Sequence, residues 1–177
     1  MAFEQTRFTR PLSLLELAVA VILIGIFIGI FIQRVILLTV AAEANSLELM
    51  IRNLRTGMML YVSRQLLEGK DSRIEELAGS DPFAVMDTPY GNYGGAMTTA
   101  GIEEADAGQW FYNTVNNELV YKVVNHDYFR NTGGTDLVRL KTVLNYDDRN
   151  NNGSYEHGID RPRGVSLRLV DDYEWTY

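Results

Sequence analysis

Residues Leu12 to Ile32 form an apolar run of 21 residues whose single charge is Glu16, and no other feature constrains the fold as strongly. As a helix rising about 1.5 Å per residue, the run reaches about 30 Å, the thickness of a bilayer's hydrocarbon core. A soluble globule of 177 residues has no need of such a block at one end. The chain therefore reads as a membrane segment followed by a polar head, not as a fully cytosolic enzyme. Because the block occurs once, a polytopic membrane protein is excluded. With 11% aromatic and 46% hydrophobic residues, so is a disordered chain.

The flanks orient the segment. Arg7 and Arg10 precede it and hold that end in the cytoplasm, which places the remainder across the membrane. Gln33 and Arg34 mark where it ends. The run is longer than the apolar part of a secretory signal, and no small-residue cleavage site closes it. A plain anchor would suffice were it not for Glu16. A carboxylate inside such a run either has a partner or snorkels to the headgroups. Gly25 and Gly29 form a G-x-x-x-G step that permits close helix packing in a membrane; helix glycines merely tolerated in lipid are the other reading.

The whole chain has a net charge of −7, and the head is its acidic part, which disfavours nucleic acid as a partner. There is no Cys, so disulfides and thiolate metal sites are out.

No Pro or Gly occurs between Ile30 and Thr56, so the helix is expected to continue beyond the run. Leu47, Ile51, Leu54, Met58 and Tyr61 make one apolar stripe. Glu43, Asn45, Glu48, Arg52, Asn53 and Arg55 take the other faces. Gly69 reads as the stop. Lys70 to Gln109 is loop-like apart from a helical turn near Arg73 to Ala78. Four antiparallel strands follow, at Trp110–Tyr112, Leu119–Val124, Leu137–Leu144 and Val165–Val170, with one face covered and one wet. Tyr173, Trp175 and Tyr177 alternate at strand period and close the core. The expected fold is α+β: a long amino-terminal α-helix packed on a mainly four-stranded antiparallel sheet. Its segments are residues 1–11, a basic leader; 12–35, the hydrophobic helix; 36–68, its amphipathic continuation; and 69–177, the acidic head.

One head segment suggests a metal. Asp148, Asn150, Asn152 and Gly153 fit D-x-[DN]-x-[DN]-G, the first half of an oxygen-rich calcium loop. The twelfth position, which an EF-hand fills with Glu, is Ile159, and the segment lies between strands, so it is no EF-hand. A looser Ca2+ loop would use Asp148, Asn150, Asn152, the Ser154 carbonyl, Glu156 and Asp160. The competing reading is an Asn-rich turn with solvated acids. Neither His126 nor His157 stands in a metal-binding pattern, and there is no thiol or G-x-S-x-G nucleophile. Non-enzymatic function is expected. Adjacent acids such as Glu103/Glu104 and Asp171/Asp172 read as solvated surface.

The string Arg10-Pro11-Leu12-Ser13-Leu14-Leu15-Glu16-Leu17, followed by the apolar helix, resembles the amino terminus of type IV pilins and pseudopilins. Trp110-Phe111-Tyr112-Asn113 and Glu118-Leu119-Val120-Tyr121-Lys122-Val123 resemble a stretch in heads of the mannose-sensitive haemagglutinin class of that family. The resemblance implies a leader cut by a prepilin peptidase between Pro11 and Leu12, with Leu12 as the N-methylated mature residue. It implies that Ser13 and Glu16 serve assembly, Glu16 neutralising a neighbouring subunit's amino terminus, and that Gly25 and Gly29 mark where the helix loosens. The implied partners are other pilin-like subunits, the inner-membrane assembly machinery and lipid. The implied place is the bacterial inner membrane, single-pass with a periplasmic head, then a filament or the cell surface. The family usually has glycine before the cut. Pro11, with fixed φ and no N–H, fits a glycine-shaped subsite poorly and favours a minor or specialised subunit. A single-span anchored binding module that never polymerises is the rival reading, and a cell-envelope enzyme the third.

Overall fold

Leu, Ile, Val and Ala dominate a single 54-residue helix, α1 (Leu14–Leu67), in the computed structural model, which describes residues 13–86 and 91–176. The helix ends where the sequence supplies a left-handed residue. Gly69 has φ +67°, its N–H bonds Leu66 O, and Lys70 N–H reaches back to Gln65 O at 2.9 Å. This is a Schellman stop, available to glycine because it lacks a Cβ.

The chain divides into two units, one ending at Thr39 and one from Val40 onward. In the first, the described helical residues are almost all exposed. In the second, α1 buries Val40, Ala44, Leu47, Ile51, Leu54, Met58, Val62 and Gln65, a stripe at three- and four-residue steps. Val62 takes the place expected for Tyr61, which packs at the stripe's edge.

That stripe meets a sheet. The strands are β1 (Tyr93–Met97), β2 (Trp110–Asn113), β3 (Glu118–Lys122), β4 (Phe129–Asn131), β5 (Leu137–Asp147), β6 (Arg161–Leu169) and β7 (Tyr173–Trp175). Five of them form one sheet in the order β1-β2-β3-β5-β6; β4 and β7 pair separately. The expected four-stranded antiparallel sheet is therefore corrected to a mixed five-stranded one. The four expected strands run antiparallel to their neighbours, but β1 adds parallel to β2. A parallel neighbour requires a crossover, and residues 98–109 supply it, carrying the helix α3 (Thr99–Glu104).

The segment read as a loop thus holds a strand and a helix, besides α2 (Asp71–Leu77) and a 3-10 turn at Pro82–Val85. Two glycines hide β1, because they lower strand propensity. Gly94 is required by packing: a Cβ there would overlap the Phe111 ring. The same segment corrects the expectation of one wet face. α3 seats Ile102 against Phe111 and Val120, a second small core on the sheet's other side. It is anchored there by Lys122, whose ammonium donates to the carbonyls of Ile102, Glu103 and Ala105 at 3.2, 2.7 and 2.7 Å, a cation at a helix C-terminus.

The main core joins the α1 stripe to Ile74, Leu77, Phe83, Trp110, Leu119, Tyr121, Val138, Leu140 and Leu167. Tyr173 and Trp175 close it over Phe129; Tyr177 lies outside the described residues.

Candidate functional sites: the apolar helix and the β5–β6 loop

Ser13 and Glu16 form a reciprocal cap on the start of α1. Ser13 Oγ accepts from Glu16 N–H at 3.2 Å, and a Glu16 carboxylate oxygen accepts from Ser13 N–H at 2.8 Å. Ser13 O takes the first helical bond, from Leu17 N–H. This is a capping box, which satisfies donors that a helix start otherwise leaves open. It is legible in the S-x-x-E spacing itself, which the pilin resemblance had absorbed. The acid also sits favourably at the helix's positive end.

Downstream, an 18-residue window of α1 has mean hydropathy 2.9 and none of it is buried. Helix α1 is long and apolar enough to cross a membrane. Gly25 and Gly29 sit in this stretch with open space where a side chain would be, so no neighbour among the described residues requires them. Pro11, Leu12 and the leader 1–11 lie outside the described residues.

The loop between β5 and β6 gathers the other named residues. Asp147 still pairs with Arg161 across the hairpin, so residues 148–160 close on themselves. Asp148 accepts from Asn152 N–H and Gly153 N–H at 3.3 and 2.8 Å, and Asn150 Oδ1 from Asn152 N–H at 3.2 Å. Asn152 Oδ1 accepts from Ser154 N–H at 2.8 Å. Asn150 Nδ2 donates to Glu156. Buried Asp160 ties the ends, accepting from Arg149 N–H at 2.9 Å and Glu156 N–H at 2.8 Å. Gly153 at φ +77° and Asn151 at φ +56° make the bend.

Among the described residues no three His, Cys, Asp or Glu side chains converge to hold a metal. The oxygens named for calcium are the carboxylates of Asp148, Glu156 and Asp160, the Asn150 and Asn152 amides and the Ser154 carbonyl, and the carboxylate and amide oxygens accept hydrogen bonds within the loop. Carboxylate and amide oxygens keep lone pairs beyond the bonds they accept. This all-oxygen set fits the chemistry of calcium, not of zinc or copper.

His157 docks the loop onto α2, and Tyr155 packs beside it on β5. His157 Nδ1 lies 2.7 Å from a Glu75 carboxylate oxygen, and Tyr155 packs edge-on against Tyr146. The Tyr155 phenol, ahead of His157, holds Glu75 below the usual carboxylate range despite its desolvation. Desolvation, then Glu75, pushes Tyr155 up to about 12. The lowered acid stabilises the fold above its unfolded pKa and loses that contribution as pH falls through the lower folded value. The raised phenol stabilises below its unfolded value of about 10 and loses that contribution as pH rises towards 12. The contribution of Glu75 and Tyr155 to the head's thermal midpoint is expected to be constant from about pH 5 to 10 and to fall on either side. Tyr155→Phe should make the alkaline fall shallower.

Two other readings are corrected. Glu43, placed on an outer polar face, accepts from Tyr121 Oη (3.0 Å), Val124 N–H (2.7 Å), Asn125 N–H (3.0 Å) and Asn125 Nδ2 (2.6 Å). These partners lie about eighty residues along the chain, so no local pattern reveals them. Burial, then Glu43, raises the Tyr121 phenol's pKa well above its ordinary value. Asp171, read as solvated, is bound by Arg139 through Nε at 2.7 Å and Nη2 at 2.5 Å. His126 lies exposed, 3.7 Å from Asp127. Glu103 and Glu104 are exposed on α3.

Compared with protein-family models, curated proteins and solved structures, the chain finds no match.

Proposed function

We propose that the chain is a subunit of a type IV pilus-like filament or type II secretion pseudopilus, in a minor role, and that it acts by assembly. The observation carrying this reading is the start of α1: an exposed apolar helix, long enough for a bilayer, with a carboxylate in its first turn. In lipid its side chains contact acyl chains; in a filament core they contact other helices, aided by the close approach that Gly25 and Gly29 permit. Glu16 sets axial register by pairing with the amino terminus of a neighbour, which competes with its bond to Ser13 N–H.

The deciding experiment is the intact mass of the protein extracted from membranes of cells that contain a prepilin peptidase. Loss of residues 1–11 supports the reading; a retained leader supports the anchored binding module instead. Glu16→Leu should leave membrane insertion intact and abolish cross-linking between subunits.

The β5–β6 loop, in this reading, is ordered by Ca2+ held by Asp148, Asn150, Asn152, the Ser154 carbonyl, Glu156 and Asp160. The ion would supply positive charge that draws these oxygens together. Calcium at a hundred times its dissociation constant should add about 2.7 kcal/mol to head stability. A thermal melt with calcium or chelator reads this, and an unchanged midpoint counts against the ion. Asp148→Ala should remove the difference.

A further inference from the structure

The outer face of the β5–β6 hairpin carries a pair of positive charges on an otherwise acidic head. Lys141 and Arg168 stand directly opposite each other in the ladder, and both are exposed. Like charges in that position destabilise a sheet. Arg161 and Arg163 lie further along β6, past a register shift in the ladder, and both are exposed. Asp147 stands opposite Arg161 in the ladder and binds Arg163 at 2.7 Å; among the described residues no carboxylate forms an ion pair with Lys141 or Arg168.

The opposite charge lies elsewhere on the head. Glu103, Glu104 and Asp106, at the end of α3, are exposed, and among the described residues none of their side chains has a cationic partner. Acids at a helix C-terminus oppose its dipole. Lys122's ammonium, bonded to the carbonyls at that helix end, offsets the dipole but forms no ion pair with these side chains, so the head presents two exposed clusters of opposite sign.

We propose that the basic pair Lys141–Arg168 docks on the Glu103–Glu104–Asp106 cluster of a second copy of this chain. Each clustered charge there gains the counter-charge it lacks in the single chain. Repeated head to tail, this contact extends a filament; sedimentation that stops at a dimer would show the two patches exchanged about a two-fold axis and overturn the head-to-tail contact. The inference rests on the assembly reading above and adds a contact between heads to the one between apolar helices.

The test uses the detergent-extracted full chain, with self-association read by cross-linking and sedimentation. Association should weaken as salt rises, because surface charges are screened. Lys141→Glu with Arg168→Glu should weaken it roughly tenfold, as should Glu103→Lys with Glu104→Lys. The two variants mixed should associate again through their exchanged charges. Lys141→Ala with Arg168→Ala should weaken association while leaving the head's melting midpoint unchanged or higher, since a repulsion is removed. A structural role for these cations predicts a lower midpoint and overturns the proposal. So does wild-type association indifferent to salt and to both reversals. Should reversal instead abolish binding to heparin and leave self-association intact, the pair serves a polyanion and the proposal fails. None of these failures alters the leader-mass result, so loss of the head contact and loss of the assembly reading remain distinguishable.

Discussion

Trp110→Ala is expected to destabilise the head by about 4 kcal/mol, the range for deleting a large buried aromatic. Trp110 is 1% exposed and lies where three parts of the core meet. Its ring sits 6.2 Å from Phe83 and 5.1 Å from Tyr121 between centroids, while β2 holds its backbone between β1 and β3. The loss therefore combines removed apolar burial with a cavity that paired strands cannot close around. Urea denaturation of the detergent-extracted chain, followed by far-UV circular dichroism of the head, would measure it. A loss under about 1 kcal/mol would mean that the site collapses freely and that this part of the core is loosely packed.

Glu43→Ala should cost about 3 kcal/mol. The carboxylate accepts four hydrogen bonds from Tyr121, Val124 and Asn125, and hydrogen bonds to a charged acceptor are the stronger kind. Its removal leaves the partly buried Asn125 donors and the Tyr121 hydroxyl without their acceptor. Glu43→Gln should recover part of the loss, since one carbonyl oxygen remains. The Tyr121 phenol should then titrate closer to its ordinary value, readable by ultraviolet absorbance as pH rises. An alanine variant as stable as the wild type would reduce the clasp to a surface contact.

Both predictions concern interactions of different legibility. Trp110 lies in an aromatic, β-branched run that reads as a strand, and its burial follows from that run's position beside Leu119–Val123. Glu43 reads as one more polar residue between Ala42 and Ala44 on a helix. Only folding brings it to Asn125, and periodicity carries no information about a partner so distant in sequence. The same holds for Asp171 and Arg139. The β1 strand was hidden for another reason: its Gly94 and Gly95 have poor strand propensity, and Gly94 is needed by the Phe111 ring that comes to lie against it.

The candidate sites divide in the same way. The Ser13–Glu16 box is local, three residues apart along a helix start, and its spacing suffices to find it. The six residues named for calcium are all in one hairpin loop, so the sequence could assemble the set. It could not show that buried Asp160 closes the loop through Arg149 and Glu156, or that His157 docks it on Glu75.

By itself, then, the sequence determined the long helix, its apolar first part and its glycine stop, because these depend on hydrophobic periodicity and backbone freedom within a few residues. It also determined the four antiparallel strands, through alternation. The tertiary structure decided the parallel fifth strand, the second core under α3, the Glu43 clasp and the unpaired cations facing outward from β5 and β6. Each of these depends on register and on contacts between distant segments, where a residue's environment is set by its neighbours in space.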